Sequence, residues 1–347
     1  MKHYFLVALS LWLVLSGGKI NAQETTNQDS KFTLRFDTRF DGEYTTFGKD
    51  NLTGERPGNQ GGFVGRYLKL LIDGKISDKF SYSFRHRLYV DPANPKEFFS
   101  ATDWANITYH PNSKFSVTAG KQMICIGTFE YDYAPIDVFY ASDFWNHVSP
   151  FQIGVNVGFM PSPRHKLYAQ ITNSPFSTKG FQNIYAYNVI WYGNLARWFN
   201  TIYSANMIEY EKGHFINYIA LGNRFTWGRA DIDVDYMNRY AGNKTAFFAD
   251  FTLMGKVSFR INDYFKVFTK GGYDQNAAQD EKAEFIYDRY VLPGVKRGFY
   301  GAGVEYFPLT TAKSNIRLHA FWYSTNENPV PQTFNIGIKW QIKALER

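Results

Sequence analysis

The 347-residue chain carries 38 Lys and Arg against 31 Asp and Glu, is 19% aromatic and has one cysteine, Cys125. A formal charge of +7 is too modest to point to nucleic acid, a lone cysteine excludes an intramolecular disulfide, and no apolar run is long enough to cross a bilayer as a helix. A mean hydropathy of −0.37 beside so many aromatic residues suits strands that are apolar on one face and wet on the other.

The first element is an export signal: Met1-Lys2-His3 supplies a positive start, Tyr4 to Leu15 an apolar core and Asn21-Ala22 a small-residue end. Its apolar run falls well short of the roughly 20 residues a membrane helix needs. Cleavage is expected after Ala22, so residues 1–22 form the signal peptide and 23–347 one barrel domain. Without Lys2 and Lys19, 36 basic side chains face 31 acidic ones, a net of +5.

The next element, residues 32–44, sets the pattern. Phe32, Leu34, Phe36, Phe40 and Tyr44 share one parity, and Arg35, Asp37, Arg39, Asp41 and Glu43 the other. Side chains alternate between the faces of a strand, so one face is greasy and the other needs water. The same split recurs: Phe80, Tyr82 and Phe84 oppose Ser81, Ser83, Arg85 and Arg87. Later, Ile232, Val234 and Tyr236 oppose Asp231, Asp233, Asp235 and Arg239, and Phe251, Leu253, Val257 and Phe259 oppose Asp250, Thr252, Lys256, Ser258 and Arg260. In the last strand Phe334, Ile336, Ile338, Trp340 and Ile342 oppose Asn335, Lys339, Gln341 and Lys343. The 63–74 strand breaks the rule, because Arg66 shares the parity of Leu68, Leu70 and Ile72.

Short turns at 77–79, 111–114, 162–165, 227–229, 261–263 and 310–314 alternate with longer connections at 45–61, 91–100, 121–150, 175–182 and 274–297. That asymmetry is the habit of outer-membrane barrels, whose long loops face outward. The predicted fold is all-β: a transmembrane antiparallel β-barrel of about 16 strands with a polar lumen. Tyr44, Tyr109, Tyr192, Trp198, Trp227 and Trp340 suit interfacial girdles near strand ends. The expected location is the outer membrane of a Gram-negative bacterium, among its lipid and lipopolysaccharide.

Four segments then carry a family resemblance. Gly120-Lys121 followed by Glu130, Ser149 to Val155, Gly271 to Asp274 and Gly303 to Pro308 resemble, in order and spacing, the phosphate-selective porin O/P family in its Bacteroidetes-like branch. The resemblance covers most of the exported chain. It implies a homotrimer of 16-stranded barrels, each with an inward-folded third extracellular loop and a lining of arginine and lysine that passes anions, phosphate among them. Where the family often carries a proline after the Gly-Lys step, this chain has Ile124-Cys125-Ile126. The segment matching the constriction loop, 121–150, holds Lys121 against Glu130, Asp132, Asp137 and Asp143. An acidic loop at the narrowest point predicts only weak anion preference.

The inward parity assigns ten pore-lining bases: Arg35, Arg39, Arg85, Arg87, Lys256, Arg260, Lys266, Lys270, Arg317 and Lys339. A dry core would not tolerate such a set, so the lumen must be wet. These bases either guide anions or form structural ion pairs with Asp37, Asp41, Asp73, Asp231, Asp233, Asp235, Asp250 and Glu305 on the same face. Asp231, Asp233 and Asp235 lie about 7 Å apart along one strand face, too widely spaced to share a metal. Two other function classes are open to test. His147-Val148-Ser149 has the His-x-Ser spacing of a barrel lipase but lacks an orienting partner. A secreted glycan-binding β-sandwich would have to bury its inner bases dry. No cofactor is expected, and the solutes expected are small, hydrophilic and preferentially anionic.

Overall fold

The computed structural model describes residues 32–88, 98–146, 149–177, 183–241, 250–276, 296–310 and 316–346. The signal peptide and His147 lie outside them.

Sixteen strands form the wall. The first eight are β1 (Phe32–Phe47), β2 (Gln60–Lys75), β3 (Phe80–Arg87), β4 (Thr102–Tyr109), β5 (Phe115–Met123), β6 (Phe151–Ser162), β7 (His165–Asn173) and β8 (Tyr185–Ala196). They continue as β9 (Phe199–Glu211), β10 (His214–Trp227), β11 (Ala230–Ala241), β12 (Asp250–Arg260), β13 (Phe265–Asn276), β14 (Lys296–Tyr306), β15 (Ile316–Thr325) and β16 (Pro331–Glu346). Each pairs antiparallel with its sequence neighbour, and β1 closes on β16, so the barrel has no free sheet edge to propagate.

The alternation places the faces as expected over most of the wall. On β6, Ile153, Val155, Val157 and Phe159 are exposed on the outside, where lipid would cover them. Aromatic pairs ring the short-turn end: Phe80 with Tyr109 and Phe115 with Phe159 at 4.9 Å, Phe199 with Phe225 at 5.0 Å and Phe265 with Tyr306 at 5.1 Å. Trp198 and Trp227 extend this ring, which has the make-up of an interfacial girdle. The opposite end carries the longer connections, with two exceptions: β9 and β10 are joined by Lys212-Gly213 alone, and β15 and β16 by residues 326–330.

Two register shifts explain what alternation misses. In β2, Gly65 faces Phe40 and Tyr67 faces Arg39, so Arg66 is an extra residue in the ladder. The bulge turns it to the lumen side despite its lipid-side parity, where it pairs with Glu43 and, at 3.5 Å, with Asp41. In β4, Thr102 faces His86 and Trp104 faces Arg85, so Asp103 is the extra residue, and it too meets lumen-side bases.

Candidate functional site

The described part of the segment between β5 and β6, from residue 124 to 146, folds into the barrel rather than away from it. Its entry is fixed by hydrogen bonds: the Cys125 N–H donates to Gln170 Oε1 at 2.8 Å, and the Gly127 N–H to Ser204 Oγ at 3.0 Å. Gly127 adopts φ +102°, and a Cβ there would strike Tyr131 at 2.5 Å. On the facing wall a Cβ at Gly222 would meet Thr128 at 2.9 Å, so Gly127 lets the loop turn back on itself and Gly222 lets it approach β10. Burial pushes the Cys125 thiol up to about 12, which leaves it protonated and inert.

The loop is then seated on a dry inner wall. Ile124, Ile126, Tyr131 and Phe144 pack against Ile208, Ile216, Tyr218, Ala220 and Met237 of β9–β11. These wall residues face inward and are almost wholly buried, contrary to a uniformly polar lumen. A second apolar contact brings Phe139 against Phe268 at 4.9 Å and Phe321 at 5.2 Å, with Tyr140 against Tyr323 at 5.3 Å.

The loop's polar groups complete the attachment. A four-residue helical turn, Phe129–Asp132, donates the Glu130 N–H to Asp235 at 2.9 Å. The Tyr133 hydroxyl donates to Asp233 at 2.6 Å, and Arg224 holds both of them. Glu130 is buried and accepts from Lys270, Ser142 and the Ser142 N–H. Asp137, on a three-residue 3-10 turn, accepts from Arg317 at 2.6 Å and Lys339 at 2.8 Å. Burial alone would raise the Asp137 carboxyl, but Lys339 and Arg317 outweigh it and hold it below the ordinary carboxylate range. Arg39 donates to the Val138 carbonyl at 3.0 Å, carrying the loop across to β1.

All ten expected bases lie on the inner face, and most have acidic partners. Arg35 pairs with Asp37 at 3.1 Å, Arg39 with Asp41 at 2.6 Å and Lys266 with Glu305 at 3.4 Å. Lys339 bridges Glu305 at 2.7 Å and Asp137. Arg85 and Arg87 share Asp103 with Lys69, at 2.7, 2.6 and 3.3 Å, so three bases lean on one carboxylate. Arg85 also lies 3.6 Å over the Trp104 ring. Two bases have an aromatic ring in place of a carboxylate among the described residues: Lys256 over Tyr133 at 3.9 Å and Arg260 over Phe307 at 4.9 Å.

The loop residues divide differently from the expectation. Lys121 is not in the loop: it lies within β5, facing Ala105 and the exposed Ile153, on the outer parity. Of the acids, Glu130 and Asp137 are neutralised by Lys270 and by Arg317 with Lys339, so they do not present bare charge to the pore. Asp132 is exposed. Asp143 begins a 3-10 turn, and its side chain lies outside the described residues. Asp231, Asp233 and Asp235 serve Thr226, Arg224 with Tyr133, and the Glu130 amide, each a separate partner. Alternation overlooked Arg66 and Asp103, both bulge residues, whereas Lys69, Arg224 and Arg239 stand on the polar parity of their strands but fall outside the ten assigned bases. Arg239 is fully buried and pairs with Asp250 at 2.8 Å.

Residues 34–197 match the family described as phosphate-selective porin O and P. Over that stretch, a little under half of its length, the chain is similar to the porin O and P family. No curated protein matches the sequence. Among solved structures, the porin is similar to the outer membrane channel DcaP of Acinetobacter baumannii, with a TM-score of 0.63 at 10% identity over 92% of this chain and 100% of that one. It is similar to an anion-selective porin from Comamonas acidovorans, with a TM-score of 0.61 at 9% identity over 90% of this chain and 100% of that one. OmpT of Vibrio cholerae gives 0.60 at 11% identity, over 92% of this chain and 100% of that one. At these identities the likeness is one of fold: the 16-stranded outer-membrane barrel, which this porin shares.

Proposed function

We propose that the porin is a water-filled channel through which small hydrophilic solutes diffuse passively, with a preference for anions, and that it catalyses no reaction. The observation that carries this is the disposal of charge around the loop. Glu130 and Asp137 are consumed by wall bases, whereas Lys69, Arg85 and Arg87 share a single Asp103. Among the described residues, Lys256 and Arg260 add cation that rests on aromatic rings in place of a carboxylate. Fixed positive charge in a narrow, poorly screened passage raises the local concentration of anions. The ten inner bases thus divide between pinning the loop and guiding solute. Planar-bilayer recordings in a potassium chloride gradient test this: the reversal potential should lie toward the chloride value. A potential on the potassium side would reject the anion preference.

The trimer belongs to the same proposal. Two apolar clefts, of about 580 and 800 Å³, adjoin one another on the outer wall where β1 and β2 meet β15 and β16. Phe63 borders both and is 99% exposed. A second copy of the chain seated there would cover this relief, and Phe63→Arg should convert a trimer to monomers in detergent-corrected light scattering.

A further inference from the structure

The wall carries a second charge pattern, outside the lumen and unused by the channel. Four connections at the girdled end hold a base directly before a ring: Lys79 before Phe80, Lys114 before Phe115, Arg164 before His165 and Arg197 before Trp198. They are the β2–β3, β4–β5, β6–β7 and β8–β9 turns, so the bases follow one another along the rim from β2 to β9. All four are exposed, and Asp78 is the only acid in these turns. Each ring meets another on the outer wall: Phe80 and Tyr109, Phe115 and Phe159, His165 and Trp191 at 5.8 Å, Trp198 and Phe225 at 6.3 Å. The rest of that rim differs. Arg229 of the β10–β11 turn donates to the Ile261 carbonyl at 2.7 Å, the β12–β13 turn carries Asp263, and residues 307–310 after β14 carry no charge. The last two adjoin the apolar clefts, through Phe265 and Tyr306. At the long-loop end the described bases stand among acids: Lys49 and Arg56 beside Asp50 and Glu55, Lys212 after Glu211, and Arg297 paired with Glu327 at 2.7 Å.

We propose that the arc from Lys79 to Arg197 is a docking surface for anionic phospholipid in the periplasmic leaflet of the outer membrane. Short turns of such barrels face the periplasm, and girdle rings sit at headgroup level. One residue further along a strand is about 3.3 Å, which puts each base at the phosphates of that leaflet, its stem along the ring and its head in water. A zwitterionic headgroup brings its own ammonium, which offsets its attraction to the bases. A headgroup of net negative charge has no such offset, and each nearby base adds to its binding. The arc stands where lipid meets the wall and stops beneath the clefts, which a second copy would cover.

The test places the porin in phosphatidylcholine vesicles with brominated phosphatidylglycerol and reads quenching of the outer-wall tryptophans, with brominated phosphatidylcholine as reference. Quenching of wild type should match a local enrichment of the anionic lipid of about fivefold, the pull of one base per headgroup. The enrichment should vanish in Lys79→Gln/Lys114→Gln/Arg164→Gln/Arg197→Gln, and in wild type at high salt, which screens the charges without a mutation. It should persist in Lys49→Gln/Arg56→Gln/Lys212→Gln, altered at the other end, and in excess soluble glycerol phosphate at matched ionic strength. Equal quenching of wild type by both lipids, enrichment that survives the fourfold change or high salt, or its loss in the long-loop variant would overturn the proposal. Loss to glycerol phosphate would overturn it in favour of a site for free phosphate. Wild type without enrichment that sediments with peptidoglycan, in a manner the fourfold change abolishes, would overturn it in favour of acidic cell-wall peptides.

Discussion

The inner faces of β9–β11 and of β2–β4 are built by the same two-residue alternation and do opposite work. The first presents Ile208, Ile216, Ala220 and Met237, all buried beneath the loop. The second presents Lys69, Arg85 and Arg87 around Asp103, with Arg87 still 39% exposed to the lumen. The loop's hydrogen bonds and ion pairs run to β7, β9, β10, β11, β13, β15, β16 and β1, among other strands. The bases of the β2–β4 arc pair instead with Asp103 of β4. The difference teaches that pore charge is decided by subtraction: what the loop covers is neutral or dry, and what it leaves uncovered carries the field.

Ile208→Asp should break this comparison most severely. It would leave an unpaired carboxylate among Ile124, Ile216 and Tyr131, at a cost of about 4–5 kcal/mol. The same change at half-buried Thr118 on the wet wall should cost under about 1 kcal/mol. Urea titrations of the detergent-folded barrel, followed by its heat-modifiable band, would show equal costs if the dry seat were not real. Glu130→Gln comes next. It strands Lys270, whose side chain is 7% exposed, and should destabilise the seated loop by about 3 kcal/mol, read as earlier proteolytic cleavage within 124–146.

Acid should act more gently, and one of its targets is the loop anchor Asp137. The folded Asp137 carboxyl titrates below its unfolded value, so its contribution is present in full above about pH 4 and is lost as pH falls through the folded value. Single-channel current should therefore be steady from pH 7 to about pH 4 and grow noisy below that. Noise that rises identically in Asp137→Asn would assign the effect to another group. The smallest structural effect belongs to Arg87→Gln on the uncovered arc. Its half-exposed pair contributes under about 1 kcal/mol, so stability should hold while the reversal potential moves by a few millivolts toward potassium.

Much of this architecture was legible in the sequence, because a barrel strand writes its two faces into alternate residues. Strand number and closure follow from that period, and so does the short-turn girdle. Tyr192, expected in a girdle, instead stands on the inner parity of β8 and packs with Ile190 and Ile202 against Phe129 of the loop. What alternation could not show falls into two kinds. At Arg66 and Asp103 one inserted residue moves a charge across the wall without disturbing the pattern on either side. In β8–β10 the inward residues Ile190, Ile202, Ile208 and Ile216 are as apolar as the outward ones, so both faces of the wall look lipid-like. A strand apolar on both faces is buried on both, and the partner on its inner side is the loop. The acidic composition of 121–150 misled for a related reason. Glu130 and Asp137 are separated from Lys270, Arg317 and Lys339 by more than a hundred residues, and no local pattern records such a pairing.

The bulge at Arg66 also bears on how such a wall could change over time. Exchanging a lumen residue swaps one side chain for another at a fixed count of charges and spacers. A one-codon insertion within a strand adds a side chain to the passage, and the ladder absorbs it locally. Phe40 still faces Gly65 and Thr38 still faces Leu68, so the lipid-facing ranks on either side stay in step. Length variation inside the strands, and not only in the loops, is thus a route by which relatives of this barrel could retune conductance while the membrane sees the same surface.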